Sequence, residues 1–215
     1  MARFTNRQFQ STTKFNGCTF AKAPEFHGCT LHQDTQFPGP DSFKDTASED
    51  AAQAYRTLKL AMEAVRSRDE EGMFYALEQK SKRRTGQMDK AASVPSWLYE
   101  QTADYGQSFL RPLVFLFLMT IAFFLFYSYL ATPTINFSLP IDGPQLIANL
   151  AFTLEQLVSP FRIWQAKEAT ALSTAIPWTT AWPVAVKLLT LVQSIISAVC
   201  IALFLLAVRW RFRRG

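Results

Sequence analysis

Residues 113–130 read LVFLFLMTIAFFLFYSYL and contain no charged residue, no glycine and no proline. A second apolar stretch, residues 188–208, leads directly into the basic sequence RWRFRR. A bilayer core about 30 Å thick needs roughly 20 apolar residues in a helix that rises about 1.5 Å per residue. We therefore predict two transmembrane helices, over residues 112–131 and 187–208, in preference to buried helices of a soluble core.

The average composition conceals this organisation. Hydrophobic residues make up 49% of the 215-residue chain, and the mean hydropathy is only +0.03, because a charged N-terminal half is averaged with an apolar C-terminal half. We predict the boundary near Arg111 and Pro112, with a membrane region over residues 112–215. The net charge of +5 does not call for a nucleic-acid partner, since four arginines follow the second span, where anionic lipids attract them.

Charged and aromatic residues at the ends of the spans predict how the chain crosses the bilayer. Because lysine and arginine near spans are retained on the cytoplasmic side, we expect both termini in the cytoplasm. Tryptophans between the spans predict an interfacial belt on the opposite side. The membrane-interface anchors predicted in this way are Arg111, Trp164, Trp178, Trp182, Arg209, Arg211, Arg213 and Arg214.

Residues 1–44 contain a repeat of phenylalanines. Alignment on Phe4, Phe15 and Phe26 gives FTNRQFQSTTK, FNGCTFAKAPE and FHGCTLHQDTQ, with a period of eleven divided into five and six. Neither a strand nor a regular helix places residues five apart on one face. We therefore predict a short β-solenoid-like repeat arm. The alternative is a weakly ordered arm whose phenylalanines dock onto the next element.

Residues 45–92 predict a cytoplasmic helical hairpin. Thr46 with Glu49, and Ser67 with Glu70, have the spacing of capping boxes, and a basic run at residues 80–84 suits the C-terminal end of a second helix. Residues 93–111 carry aromatic side chains with polar edges. They predict an interfacial linker, either a helix or a turn, that leads into the bilayer.

The segment between the spans predicts a short helix over residues 144–158. Its length is too small for a third crossing and suits a re-entrant or interfacial helix. One face is apolar, whereas Asn149, Glu155 and Gln156 lie elsewhere on it. In a two-span channel a pore helix occupies this position. Glu155 is then the candidate for a charge ring, and the alternative leaves it solvated at the periplasmic surface.

The second span carries polar residues on one face. Thr190, Gln193, Ser194 and Ser197 recur at helical spacing. They either line water or form hydrogen bonds across a helix interface. Two helices cannot enclose a pore, so a channel requires a homo-oligomer.

The motifs of the chain together resemble one family. The phenylalanine repeat, with Cys18 before Phe20, the sequences FYALE and YGQSFLRPL, and the terminal pair of spans resemble bacterial pentapeptide-repeat membrane proteins whose C-terminal regions are similar to two-span ion channels. The resemblance implies a multi-pass protein of the bacterial inner membrane. It also implies an oligomeric channel-like or pore-forming module with a cytoplasmic region that senses or docks a protein partner.

Other features limit the functional interpretation. No glycine occurs between Gly143 and Gly215, so the glycine-containing carbonyl filter of potassium channels is not expected. Nucleophile–base pairs, metal ligands and phosphate loops do not occur at the required spacing, so we predict neither an enzyme nor a bound metal or cofactor. The rival function is a non-conducting, membrane-anchored interaction scaffold. In either case we expect membrane lipids as partners and no nucleic acid.

Overall fold

The computed structural model describes residues 2–131, 143–158 and 183–214. The chain forms two units, Met1–Phe109 with Leu206–Gly215, and Leu110–Leu205. The described residues contain six α-helices: α1 (Ala51–Ala64), α2 (Arg68–Arg84), α3 (Lys90–Ala103), α4 (Leu110–Ala131), α5 (Gly143–Val158) and α6 (Pro183–Arg214). Short 3-10 turns lie at Pro40–Ser42 and Asp104–Gly106.

The prediction of a β-solenoid-like repeat in residues 1–44 is wrong, and with it the pentapeptide-repeat interpretation. The described part of the chain contains no β-strand. The arm instead makes isolated parallel bridges, namely Arg3–Glu25, Gln8–Thr30, Lys14–Gln36 and Phe20–Phe43. Bends and turns separate successive bridges along the chain, so no pair of segments runs side by side long enough to form a ladder. The five-residue spacing reports where the chain turns.

The phenylalanines of the arm form a core with α1 and α2. Phe15 stacks on Phe37, with ring centroids 5.0 Å apart. Phe20 stacks on Phe43 at 5.0 Å. Phe74 of α2 meets both Phe37 and Phe43 edge to face, at 5.1 and 5.4 Å. Because aromatic pairs of this kind contribute about 0.5–1.5 kcal/mol each beyond the burial of their area, the helices hold the arm in place.

Helices α1 and α2 pack as an antiparallel pair. The turn between them includes Arg66, whose φ of 61° is left-handed. At the other end of the pair, the Gln87 side-chain amide donates to the Glu49 carbonyl at 3.1 Å, and the Arg84 guanidinium donates to the Thr46 hydroxyl. These contacts bring the start of α1 next to the end of α2.

The chain before α1 is held by Asp45, and no side-chain hydrogen bond caps the helix. Its carboxylate accepts hydrogen bonds from the backbone N–H groups of Ala47 and Ser48, at 3.2 and 3.0 Å, and from that of Ala23 in the arm, at 3.2 Å. Burial alone would raise the pKa of this carboxyl, but the hydrogen bonds outweigh burial and lower the pKa below its ordinary value of 3.8. Helix α1 begins at Ala51, with Asp50 at the N-cap position.

Two helices are long and apolar enough to span a membrane, over Leu110–Leu130 and Val186–Arg209. We call these stretches the first and second candidate spans. Only 11% and 22% of the most apolar part of the first and second candidate spans are buried within the chain. A core helix of a soluble protein is mostly buried. Helix α5 has 16 residues and is about 24 Å long, which is less than the thickness of the bilayer core.

Candidate functional site: buried polar residues among three apolar helices

Polar side chains of α4, α5 and α6 meet in the interior of the second unit. The Tyr127 hydroxyl donates to Oε1 of Gln193 at 2.8 Å. Nε2 of the same glutamine donates to the Thr153 carbonyl at 3.0 Å. Tyr127, Gln193 and Thr153 are all buried. Gln193 thus uses both ends of its amide to join α6 to the other two helices.

One further hydrogen bond joins α4 to α5, and another lies within α5. Nδ2 of Asn149 donates to the Ser128 hydroxyl at 3.4 Å, and the Thr153 hydroxyl donates to the Asn149 carbonyl at 2.7 Å. Phe152 packs edge to face on Tyr127, with centroids 5.2 Å apart. We call the buried polar residues of these helices the polar cluster: Tyr127, Ser128, Asn149, Thr153, Gln193 and Ser197.

The open surface of the same helices is apolar. On α5, Ile147, Leu150 and Leu154 are 70%, 45% and 46% exposed, while Asn149 and Thr153 are buried. The candidate spans likewise expose large apolar side chains, among them Leu113, Val114, Phe117, Leu118, Ile121, Leu125, Phe126, Leu188, Leu191, Val192, Ile195 and Val199. A domain that folds in water has the reverse arrangement. The surface of the second unit is therefore suited to an apolar environment.

The structure divides the polar stripe that was predicted on the second span. Gln193 and Ser197 are buried and belong to the polar cluster. Thr190 and Ser194 are only half-buried, and the Thr190 hydroxyl donates to the Lys187 carbonyl of its own helix at 3.0 Å. Only half of the stripe therefore reaches the interior.

The other predicted site residues are placed as follows. Asn149 is buried, whereas Glu155 and Gln156 are half-buried on α5. Arg111 and Arg209 are exposed. They lie close to the N-terminal end of the first candidate span and the C-terminal end of the second, respectively. The remaining basic anchors, Arg211, Arg213 and Arg214, belong to α6. The predicted belt of Trp164, Trp178 and Trp182 lies outside the described residues.

Sequence reasoning missed three members of the polar cluster, Tyr127, Ser128 and Thr153. A signal for the first two was present, because YSY at residues 127–129 places hydroxyls near the end of an otherwise apolar span. Nothing local marks Thr153 as different from an exposed threonine. Its importance comes from its backbone carbonyl, which accepts the hydrogen bond from Gln193.

The first unit contains a cavity of about 370 Å³ between α1, α2 and the turn after α3. Its walls carry side chains of both charges and three tyrosines: Lys59, Glu63, Arg68, Glu71, Gly72, Tyr75, Tyr99, Tyr105, Gly106 and Gln107. Tyr105 meets Tyr75 and Tyr99 edge to face, with centroids 6.2 and 5.5 Å apart. Because its charges balance, the cavity favours no single sign of ligand.

The turn that closes this cavity has an unusual backbone. Asp104, Tyr105 and Gly106 have φ angles of 47°, 53° and 84°, and left-handed conformations cost of order 1–3 kcal/mol each for residues other than glycine. Side chains of α2 hold the turn, since Lys80 pairs with Asp104 at 3.2 Å and Arg83 donates to the Tyr105 hydroxyl at 3.2 Å. The conformation of this turn is therefore supported by tertiary contacts with α2.

Lys59, which lines the cavity, is held in place by the buried carboxylate of Glu78. The carboxylate of Glu78 is almost fully buried and accepts from Lys59 at 2.9 Å and from Lys82 at 2.6 Å. Burial alone would raise the pKa of Glu78, but the two ammonium groups outweigh burial and lower it below its ordinary value of 4.5. Among the described residues, no cluster of three or more His, Cys, Asp and Glu side chains is placed to hold a metal ion.

The chain matches no protein-family model, no curated protein and no solved structure. The resemblance of its terminal region to two-span ion channels therefore stays a prediction.

The polar cluster predicts energetic coupling between α4 and α6. In a double-mutant cycle of Tyr127→Phe and Gln193→Leu, we expect a coupling energy of about 0.6 kcal/mol, and no more than about 1.7 kcal/mol, which is the range known for hydrogen bonds between membrane helices. The measurement is reversible unfolding in mixed micelles by increasing fractions of dodecyl sulfate. Thr190→Val is the matched control, because it removes a hydroxyl that is bonded within its own helix. Strictly additive effects of the two substitutions would exclude the direct contact.

Glu78 predicts that acid destabilises α1 and α2. Because the folded-state pKa of Glu78 is below 4.5, its stabilisation is complete above that pH and is lost as the pH falls through the folded-state value. We expect hydrogen-exchange protection of α1 and α2 to decrease over this range in the wild type, and to decrease less in Glu78→Gln. Some decrease persists, because Asp45 has a lowered pKa as well. Glu63→Gln, at an exposed position of α1, should retain the wild-type response; an equal response in Glu78→Gln would contradict the assignment.

Proposed function

We propose that this chain is an integral membrane protein in which two spans anchor an N-terminal docking domain without forming a pore. The observation that carries the proposal is the reversed arrangement of the second unit, with polar side chains buried and large apolar side chains exposed. Lipid tails provide no hydrogen-bond partners, so polar groups of spanning helices are satisfied within the protein. The Tyr127–Gln193–Thr153 hydrogen bonds meet that requirement.

The same arrangement supports an anchor more than a channel. A pore between copies of this chain would be lined by the open faces of its helices, and the described open faces are apolar. Several polar groups that could line water already have partners within the chain. Gln193 is bonded inside the chain, and the hydroxyls of Thr120 and Thr190 donate to carbonyls of their own helices at 2.8 and 3.0 Å.

An oligomeric channel-like module is the second candidate function. Glu155 and Gln156 on α5 favour it, because they remain half-buried and are not members of the polar cluster. A ring of such carboxylates from several copies would select cations through short-range electrostatics. The experiment on ion flux below separates this candidate from the anchor.

The proposed location is the bacterial inner membrane, with residues 2–109 in the cytoplasm. Arg111 and Arg209 support this orientation, since they are exposed and lie at the ends of the two candidate spans that lead to the termini. The first unit offers a cavity with charges of both signs, next to a turn that is held by the Lys80–Asp104 ion pair. These features suit a protein partner that presents both polar and charged side chains.

The proposed orientation predicts the accessibility of introduced cysteines. In a background in which Cys18, Cys29 and Cys200 are replaced by serine, Ser173→Cys should react with a membrane-impermeant maleimide in intact spheroplasts. Gln53→Cys, at an exposed position of α1, should react only after lysis, because basic flanks keep this side in the cytoplasm. The reverse pattern would overturn the orientation, and reaction of both cysteines in intact cells would overturn the spans.

The anchor proposal predicts that purified protein in sealed vesicles does not increase the leakage of potassium or sodium above that of protein-free vesicles. Gramicidin in parallel vesicles is the positive control for detection. Protein that resists alkaline extraction and yet remains silent at high density supports the anchor. Cation flux that is lost in Glu155→Gln and kept in Gln156→Glu would establish the channel instead, because only the charge at Glu155 would then be required.

A further inference from the structure

Helix α3 presents an apolar stripe that the first unit leaves open. Val94, Trp97 and Leu98 are 62%, 50% and 48% exposed. They recur at steps of three and four residues and therefore lie on one face of the helix. Lys90 and Gln101 are also exposed and share this face. Large apolar residues that are clustered in this way indicate an interaction surface.

The opposite face of α3 is fixed to the rest of the first unit. The Ser96 hydroxyl and the Tyr105 hydroxyl are 2.8 Å apart, and Glu100 pairs with both Lys80 and Arg83. Thr102 and Ala103 are buried. These contacts determine the rotation of the helix about its axis, so the apolar stripe is a stable feature of the surface.

The chain turns back on α3 shortly before the residue at which the first candidate span begins. The Ser108 N–H donates to the Ala103 carbonyl at 3.3 Å, so the chain folds back on the last residue of the helix. Leu110, where the candidate span starts, follows two residues later, and two residues reach at most about 7 Å. A membrane around the span is therefore within reach of the apolar stripe.

We propose that the stripe of Val94, Trp97 and Leu98 lies in the membrane interface and holds the first unit against the lipid surface. This inference rests on the proposed membrane anchor and adds a second contact with lipid. The helix has 14 residues and is about 21 Å long, so it lies along the surface and does not cross the bilayer. Tryptophan is the residue best suited to this depth, because its ring is apolar and its N–H is polar.

Charge complementarity supports lipid as the occupant. Two exposed basic side chains, Lys90 and Arg111, lie on either side of the stripe in the sequence, whereas Lys80, Lys82 and Arg83 are paired with carboxylates of the first unit. A basic segment next to a span is attracted to anionic headgroups. Lys90, on the same face as the stripe, can extend its ammonium group to a lipid phosphate while its methylenes stay with the apolar residues.

The test measures the depth of Trp97 in the full-length protein. Trp164, Trp178, Trp182 and Trp210 are replaced by phenylalanine, and the protein is reconstituted in vesicles of phosphatidylethanolamine and phosphatidylglycerol. We expect a nitroxide near the glycerol backbone of the lipid to quench Trp97 at least about two-fold more than a nitroxide near the chain end, because interfacial helices insert about 5–10 Å. Iodide in the aqueous phase should quench it weakly.

The matched control moves the single tryptophan to Gln53→Trp, with Trp97→Phe, at an exposed position of α1. Iodide should quench this tryptophan strongly and lipid nitroxides should not. If Trp97 behaves in the same way in protein that resists alkaline extraction, the proposal for α3 fails while the membrane anchor stands. If Trp97 is shielded from iodide and from both nitroxides, a protein surface covers the stripe and the proposal fails as well. Protein that alkali releases from the vesicles contradicts the anchor itself.

Discussion

The second unit depends on one constraint, which is that polar groups on apolar helices must be satisfied by each other. Gln193 meets this constraint with a single amide, which accepts from Tyr127 of α4 and donates to the Thr153 carbonyl of α5. Each hydrogen bond of this kind between membrane helices contributes only about 0.6 kcal/mol. These hydrogen bonds matter more for the orientation of α6 than for its stability. In an apolar environment, any packing that turns the Gln193 amide outwards leaves it without hydrogen-bond partners, which is unfavourable.

In the first unit, buried or partly buried carboxylates connect segments that are distant in the sequence. Asp45 accepts from Ala23 of the arm and from the turn before α1. Glu78 brings Lys59 of α1 to Lys82 of α2. In both cases hydrogen bonds outweigh burial and keep the carboxyl pKa low. Asp45 and Phe74 thus connect the arm to the helices that follow it.

Prediction from sequence succeeded where a long stretch of chain carries one signal and failed where distant segments decide. The two apolar stretches correspond to helices of sufficient length to span a membrane, and α5 at Gly143–Val158 is close to the predicted 144–158. The phenylalanine repeat was misread, because a spacing of five describes turns equally well whether or not strands form between them. For the predicted polar stripe, the sequence could not show that Gln193 and Ser197 are buried while Thr190 and Ser194 are only half-buried. All four residues share one helical face.

The sequence by itself determined which parts of the chain avoid water and where the basic residues that flank them lie, because hydropathy and charge add up residue by residue along the chain. Only the tertiary structure decided which polar side chains are enclosed, how the turn at Asp104–Gly106 is held, and which face of α3 stays open. The physical reason is that burial and hydrogen bonding depend on partners from other helices. Thr153 contributes to the polar cluster chiefly through a backbone carbonyl, which carries no information in the residue type.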